Sequence, residues 1–301
     1  VGTAHDVVVP PNCHQLFCSG AHSDVGGGYG AGEQGKGIRH EFDERRGKRR
    51  PVRDDGLKLS TLALNEMLAA AKMACSGHPD SPWIEFDAEE ADDLRLRERF
   101  HPDQLPKIRE AVAKYFDSAG VAGSGLSTAD ALREHGLRYL AWRYRVSQED
   151  RFEQLPSVRR AEQLQPPDPD FGYYIEGEKK FKEQVRLLAT RAPVWNTNLF
   201  GDKDKRAALH SHAGEIFKKM QALRVPAATG EFFDDWVHDS YAGFIAMFKK
   251  GSSAWTRWAG ALSHVMVEGQ GYVRWRGLYE GSDERLNSAQ GSNDTSQARR
   301  A

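Results

Sequence analysis

The segment that most constrains the fold of this chain is residues 20–29, which read Gly-Ala-His-Ser-Asp-Val-Gly-Gly-Gly-Tyr. His22 and Asp24 lie between a short apolar run, residues 14–19, and three successive glycines. Glycine loses more conformational entropy on folding than any other residue, so a run of glycines indicates backbone geometry that side chains would block. A histidine and a carboxylate in such a turn favour a functional loop over a strand-to-helix turn with an incidental histidine.

The segments on either side of this glycine motif predict an α/β layer. Residues 14–19 predict a buried strand, and residues 30–56, Gly-rich and then charged, predict a loop or an excursion. From Leu59 the apolar residues recur at helical spacing, with Gly77 as the stop. The apolar face expected of this helix comprises Leu64, Met67, Leu68, Ala71 and Cys75. A strand, a glycine turn, a loop and a helix in this order are typical of an α/β fold.

The remainder of the chain predicts mostly helices. Helical spacing or a capping box marks four segments: 108–116, 127–140, 174–190 and 205–224. Residues 142–169 end in Pro-Pro-Asp-Pro and predict a linker, whereas residues 271–277 alternate and predict a strand. Residues 283–301 are rich in Ser, Asn, Gln and Arg and predict a disordered tail.

Composition excludes several classes of protein. The 301 residues carry a net charge of -1, so no global field points to nucleic acid. The basic run 45–50 follows acidic residues and ends at Pro51, which is more typical of a solvated loop than of a phosphate-binding patch. Three cysteines without a Cys-x-x-Cys pair argue against a disulfide scaffold or a zinc site and favour a reducing compartment. No apolar stretch approaches the roughly 20 residues that span a bilayer, so no transmembrane segment is expected.

Residues 30–36 match two nucleotide-binding motifs in sequence, but the residues around them do not fit either motif. They match Gly-x-Gly-x-x-Gly and Gly-x-x-x-x-Gly-Lys, but Gly37 stands where a P-loop requires a hydroxyl for magnesium. The following residues, 39–51, are charged and end at a proline, unlike a helix whose N-terminus could bind phosphate. A flexible glycine loop is the favoured interpretation, and no cofactor is expected.

His238, followed by Asp239 and Ser240, is the second cluster of interest. It lies among the apolar and aromatic residues of 236–248, so we expect it beside a core. Two interpretations are equally supported by the sequence: a functional imidazole, or a buried histidine hydrogen-bonded to a nearby backbone group.

The other histidines do not predict a metal site. His210 and His212 are two residues apart on a helix and therefore project to different sides. The spacing of His5, His14 and His22 does not match a set of metal ligands.

A hydrolase role for His22 requires a nucleophile, and the elbow Gly-x-Ser-x-Gly does not occur in these residues. The nearest match is residues 125–129, whose Ser127 is better explained as a helix N-cap. The chain starts without Met, at the strand-like residues 1–9, which suggests a fragment of a longer protein.

Residues 20–29, together with 57–65, resemble the Tle1-like type VI secretion phospholipase effectors, α/β-hydrolase domains that carry the same glycine motif. Residues 236–244 (the histidine segment) and 271–274 resemble the C-terminal part of that family. The resemblance implies the C-terminal part of an α/β-hydrolase fold with a mostly helical accessory region.

The resemblance divides the chain as follows: 1–87 as the C-terminal part of the catalytic domain, 88–230 as a helical accessory region, 231–282 as a segment that packs back near the catalytic domain, and 283–301 as a disordered tail. It covers the first and third of these segments well and the helical region only loosely.

The chemistry that the resemblance implies is acyl-ester hydrolysis of membrane phospholipids by a serine hydrolase. In the order serine, acid, histidine, the last position fits His22, which would act as the general base. Asp24 would support it, either by orienting a neighbouring imidazole or by holding the loop through bonds to its own glycine amides, and the second role is favoured. His238 is the reserve candidate for the base. Without a serine nucleophile, the 301 residues are expected to be inactive alone.

The implied partners are a phospholipid membrane surface, a secretion-spike protein and an immunity protein, without nucleic acid. The family is made in the bacterial cytoplasm and secreted into the envelope of a target cell. Aromatic residues near Lys249 and Lys250 would suit docking on a membrane, although a core helix is the favoured interpretation. These residues are Trp236, Phe244, Phe248, Trp255 and Trp258. The alternative function is a non-catalytic binding or adaptor module that recognises a spike or immunity partner.

Overall fold

Helices dominate the part of the chain that the computed structural model describes, which is residues 18–76, 100–120, 128–189, 203–242, 272–273, 278–279 and 285–286. The helices are α1 (His22–Gly26), α2 (Leu59–Ser76), α3 (Leu105–Ala119), α4 (Thr128–Gln148), α5 (Pro156–Gln163), α6 (Phe171–Ala189), α7 (Lys203–Ala222) and α8 (Ala227–Trp236). Single 3-10 turns lie at Glu33–Gly35, Pro102–Gln104 and Phe152–Gln154.

The strands form two antiparallel pairs. β1 (Ile38–Asp43) pairs with β2 (Lys48–Arg53), and β3 (Leu278–Tyr279) pairs with β4 (Arg285–Leu286). The described ranges contain no parallel strands, so they neither show nor exclude an α/β-hydrolase sheet, and that fold class stays a prediction.

Of the two expectations for residues 30–56, a loop is wrong for residues 38–53, which form the β1–β2 hairpin, whereas an excursion agrees with that hairpin. The chain reverses because Gly47 adopts a left-handed conformation, with φ 60°, that suits glycine. Charged side chains on both strands hide the usual apolar alternation, so the sequence looks like a solvated excursion.

The helices expected near 108–116, 127–140, 174–190 and 205–224 are confirmed as α3, α4, α6 and α7. The helix that starts at Leu59 is also confirmed, but its predicted apolar face is wrong in part. Leu64 and Met67 are 40% and 71% exposed, whereas Leu59 and Ala63 are buried. The buried side of α2 is therefore the one that packs against α1 and α3.

The linker expected over residues 142–169 is wrong. Trp142 and Arg143 are buried within α4, and Val158 and Ala161 are buried in α5. Charged residues made this segment read as solvated, but Arg143 is paired inside the protein with Glu178.

α4 lies at the centre of the described structure because it contributes to two apolar clusters. One cluster joins α3, α4 and α8 through residues such as Tyr115, Trp142 and Phe233. The other joins α4, α6 and α7 through residues such as Phe181 and Ile216. None of the helices in the described ranges is long and apolar enough to cross a bilayer.

Several expectations fall mostly outside the described residues. Of the strand expected at 14–19, only Cys18 and Ser19 are described, and they are not in a strand. Of the strand expected at 271–277, only Tyr272 and Val273 are described, and they form a bend. Of the predicted tail, the structure describes residues 285–286, which belong to β4.

Candidate functional site

The glycine motif and the histidine segment meet through a bond between Asp24 and His238. Asp24 lies in α1, and His238 lies two residues beyond the end of α8. The Nδ1 atom of His238 is 2.5 Å from Oδ1 of Asp24, across 214 positions of sequence. Both residues are 4% exposed. The glycine motif and the histidine segment are therefore joined at a buried carboxylate–imidazole pair.

The rest of the His238 ring is also occupied. Its Nε2 atom lies 3.1 Å from the carbonyl oxygen of Glu33. The ring of Tyr29 stacks on it, with the ring centroids 4.0 Å apart. A general base needs a free nitrogen within reach of the proton that it accepts. His238 would have to leave the Glu33 carbonyl before it could act in that way, and its setting is that of a buried histidine bonded to the backbone.

The Asp24 carboxylate holds two pieces of backbone as well as the imidazole. Its Oδ2 atom accepts hydrogen bonds from the amide of Ala21, at 2.7 Å, and from the amide of His238, at 3.1 Å. Charge-assisted bonds of this kind are stronger than bonds between neutral groups. Asp24 therefore fixes its own loop to the end of α8, by way of Ala21 and His238.

His22 begins α1, and the residues just before it are fixed at two points. The Gly20 amide donates to Nε2 of His135, at 3.2 Å, and the Nδ1 atom of that imidazole lies 2.7 Å from the hydroxyl of Tyr115. Ala21 is held by Asp24. The side chain of His22 lies outside the described atoms, so its role as a base stays a prediction.

Gly20 is required by close packing at this point. A Cβ atom there would lie 2.7 Å from Cβ of Asp24 and 3.1 Å from Cδ1 of Leu59, and φ is +133°. Only glycine fits this conformation and this space without displacing its neighbours. The first glycine of the motif thus lets the backbone before His22 pass directly beside Asp24.

The loop at residues 30–37 is buried and well bonded, so its interpretation as a flexible glycine loop is wrong. The Gln34 side chain donates to the carbonyl of Asp239, at 3.0 Å, and accepts from the amide of Asp239, at 2.7 Å. The backbone amide of Gln34 donates to Oδ2 of Asp168, at 2.9 Å. Gln34 therefore binds the backbone next to His238 much as a neighbouring strand would.

Lys36 is a buried cation beside this loop. It is 2% exposed, and its Nζ atom has one long contact, 3.4 Å, to the carbonyl of Gln34. The Tyr174 ring centroid lies 5.4 Å from Nζ. Burial lowers the pKa of Lys36 to about 8, although the nearby negative charge of Asp234 opposes the shift.

Asp234 is bonded to Ser157 rather than to a cation. Its carboxylate accepts from the hydroxyl of Ser157, at 2.5 Å, and from the amide of Ser157, at 3.2 Å. Burial raises the pKa of Asp234, while the charge of Lys36 lowers it. Ser157 has no exposed surface, so this serine is placed to connect α5 with α8 rather than to meet a substrate.

A second buried charge cluster surrounds Arg143. Its Nη2 atom lies 3.0 Å from Oε2 of Glu178 and 3.3 Å from Oδ2 of Asp239. Asp239 also accepts bonds from the hydroxyl of Tyr272 and from the amide of Tyr241. Burial raises the pKa of Glu178, and the Arg143 charge opposes this shift. The residue after His238 is thus fixed to α4 directly, and to α6 through Arg143.

The remaining candidates from the sequence lie mostly outside the described atoms. Trp236 packs against the α3–α4–α8 cluster, and the other aromatic residues of the expected docking region lie outside the described ranges. The side chains of His5, His14, His210 and His212 also lie outside the described atoms. Across the described ranges, no group of three or more His, Cys, Asp or Glu side chains is placed to hold a metal ion.

Sequence reasoning missed Gln34, Lys36 and His135. Gln34 and Lys36 both adjoin Gly35, and glycine allows a close approach of the backbone, which is a weak signal that these side chains are buried. His135 had no such feature, because it is an isolated histidine within a helix and its contact with Gly20 spans 115 positions of sequence.

Comparisons with models of protein families, with characterised proteins and with solved structures gave no significant match to this chain.

Proposed function

We propose that this chain is the histidine-bearing part of a serine hydrolase that cleaves acyl esters of membrane phospholipids. His22 is its general base: it takes the serine proton during attack and returns it to the leaving alcohol. The product would be a fatty acid and a lysophospholipid. In the Tle1-like family that the chain resembles, this activity serves antibacterial delivery into a target cell envelope.

The observation that carries this proposal is the contact between the glycine motif and the histidine segment. Both resemble the same family, and they meet at the Asp24–His238 pair although 214 positions separate them. A bond network on both sides of His22 also suits a base, because proton transfer requires a fixed position. Gly20 is held by His135, and Asp24 is held by His238.

The proposal requires a serine nucleophile, and these 301 residues contain no Gly-x-Ser-x-Gly elbow that would carry it. It must come from a segment of the protein outside this sequence or from a partner chain. Asp24 is unsuited to be the acid of a triad with His22, because its oxygens are already bonded to Ala21 and His238. The acid would therefore also come from elsewhere, as in the order serine, acid, histidine.

The test uses the protein as the cell makes it. We expect it to release fatty acid from phosphatidylethanolamine and phosphatidylglycerol vesicles, and to be labelled at one serine by a fluorophosphonate probe. Boiled protein is the control for labelling that does not depend on the fold. Protein that neither takes the label nor releases fatty acid would contradict the proposal.

A binding or adaptor module is the second candidate, and the exposed face of α2 favours it. Leu64 and Met67 are 40% and 71% exposed, and because they are three residues apart they lie on the same side of the helix. Exposed apolar patches mark sites of protein interaction. The partner would be a secretion-spike or an immunity protein.

The two candidates differ in what the α2 face and the serine probe would show. For an adaptor, changing Leu64 and Met67 to Gln abolishes partner binding, and no serine takes the label. For the hydrolase, the label is present whether or not a partner binds.

A further inference from the structure

The tip of the β1–β2 hairpin combines an exposed aromatic ring with cations that form no ion pair within the described ranges. Phe42 is 64% exposed. Arg45, Lys48 and Arg49 are exposed, and none of them forms an ion pair with a residue in the described ranges. We propose that this tip docks the protein on a bilayer surface that contains anionic phospholipid.

The register of the hairpin places Phe42 and Arg49 side by side. Phe42 pairs directly with Arg49, and Asp43 pairs with Lys48. Directly opposed residues of an antiparallel pair project from the same face, with Cβ atoms about 5 Å apart. The Phe42 ring and the Arg49 guanidinium therefore share one face at the end of the hairpin. An aromatic side chain beside a cation suits the boundary between lipid headgroups and acyl chains.

The hairpin holds its tip away from the rest of the protein. Each strand has six residues, which corresponds to a length of about 20 Å. At its base, the Asp54 amide donates to the carbonyl of Gly37, at 2.8 Å, and Nη2 of Arg53 donates to the carbonyl of Pro166, at 2.7 Å. At the tip, Oδ1 of Asp43 accepts from the amides of Arg45 and Arg46. The tip is therefore ordered before it meets a surface, which reduces the entropic cost of binding.

The charge of the hairpin is opposite to that of the rest of the chain. Residues 38–53 contain seven basic and three acidic residues, a net charge of +4, whereas the whole chain carries -1. The other cations of the hairpin have partners: Arg39 with Glu41 and Asp54, Arg46 with Asp43, and Arg50 with Glu41. This leaves the cations around the turn available for the phosphates of lipid headgroups. Each such residue near an anionic surface contributes about 1 kcal/mol, which is about fivefold in affinity.

A membrane fits this tip better than a nucleic acid does. A polyanion of either kind would complement the charge. The single aromatic ring stands at an exposed tip instead of in a groove that could track a strand, and an apolar group gains most by entering the lipid interface. Docking of this kind does not require the proposed hydrolase activity, so either can fail without the other.

The experiment measures cosedimentation of the protein, as the cell makes it, with vesicles of ether-linked lipids, which an acyl-ester hydrolase cannot cleave. One set contains phosphatidylcholine alone, and the other contains phosphatidylcholine and phosphatidylglycerol at two to one. We expect binding to the second set only, weakening as salt is added. Changing Arg45, Lys48 and Arg49 to Gln should weaken it roughly a hundredfold, and Phe42→Ala several-fold.

The matched control removes the same charge from exposed positions on other elements, by changing Lys107, Lys179 and Lys218 to Gln. We expect it to bind nearly as the unchanged protein does. All variants should keep the same unfolding midpoint, because the substituted side chains are exposed.

Three results would overturn the docking proposal. The first is equal binding to both sets of vesicles, and the second is equal loss in the tip variant and the charge-matched control. The third is displacement of the vesicles by a DNA duplex at the same concentration of phosphate, which would assign the tip to nucleic acid.

Discussion

Among the individual residues, Asp24 is the one whose role differs most from that of a catalytic acid, because it holds the loop together. Its carboxylate bonds to Ala21 on one side of His22 and to His238 at the end of α8. The sequence favoured loop-holding for Asp24 and named His238 as a residue beside a core. It could not show that these two hold each other, because residues 214 positions apart leave no periodic pattern.

Lys36 is expected to weaken the fold at neutral pH, because its ammonium group is buried and has, within the described ranges, one long hydrogen bond. Burial lowers the pKa of Lys36 from 10.5 to about 8. Between these values the unfolded chain holds the proton and the folded chain does not, so stability rises with pH across this window. Changing Lys36 to Met, which has a similar length, should raise the free energy of unfolding by about 3 kcal/mol at neutral pH.

Urea unfolding of both proteins, from neutral pH up to 10.5, measures this difference. The advantage of the Met variant should shrink as the pH rises and the wild-type lysine loses its charge. The exposed Lys107→Met is the control and should show no such trend. An advantage that stays constant with pH would mean that Lys36 is not a buried cation.

Among the contacts between structural elements, the close packing of the loop at 30–37 on α5 can be tested most directly. Gly35 has φ +71°, and a Cβ atom there would lie 1.8 Å from the carbonyl oxygen of Ser157. Arg160 of α5 donates back to the carbonyl of Gly35, at 3.0 Å. The sequence showed the glycines of this loop but not the helix against which they pack, since that stretch read as a linker.

Two glycine substitutions separate this contact from backbone strain. Gly47 has a similar conformation, φ +60°, and no atom lies within 4 Å of the position that a Cβ atom would take there. Gly47→Ala should therefore cost about 1 kcal/mol from strain alone. Gly35→Ala adds an overlap with α5 and should cost about 3 kcal/mol or more. Thermal or urea unfolding measures both, and equal costs would show that the loop does not pack closely on α5.

At the scale of the whole molecule, buried polar groups connect segments that are distant in sequence. Arg143 of α4 meets Glu178 of α6 and Asp239, the neighbour of His238. Helical spacing was enough to predict α3, α4, α6 and α7. It could not predict these connections, because a charged residue reads as solvated until its partners are known. That the chain belongs to an α/β-hydrolase fold stays a prediction from the resemblance.

We propose different tasks for two histidines: His22 would serve the reaction, and His238 holds the loop that carries it. The direct measurement compares His22→Ala and His238→Phe in the protein as the cell makes it, by fatty-acid release and by urea unfolding. His40→Ala, at an exposed position of β1, is the control.

We predict that His22→Ala lowers fatty-acid release by about a thousandfold and leaves the free energy of unfolding nearly unchanged. His238→Phe should lower that free energy by about 3 kcal/mol, because it leaves the Asp24 charge buried without its partner, while the folded fraction still releases fatty acid. The opposite result, in which His22→Ala stays active and folded His238→Phe is inactive, would contradict this assignment and make His238 the base.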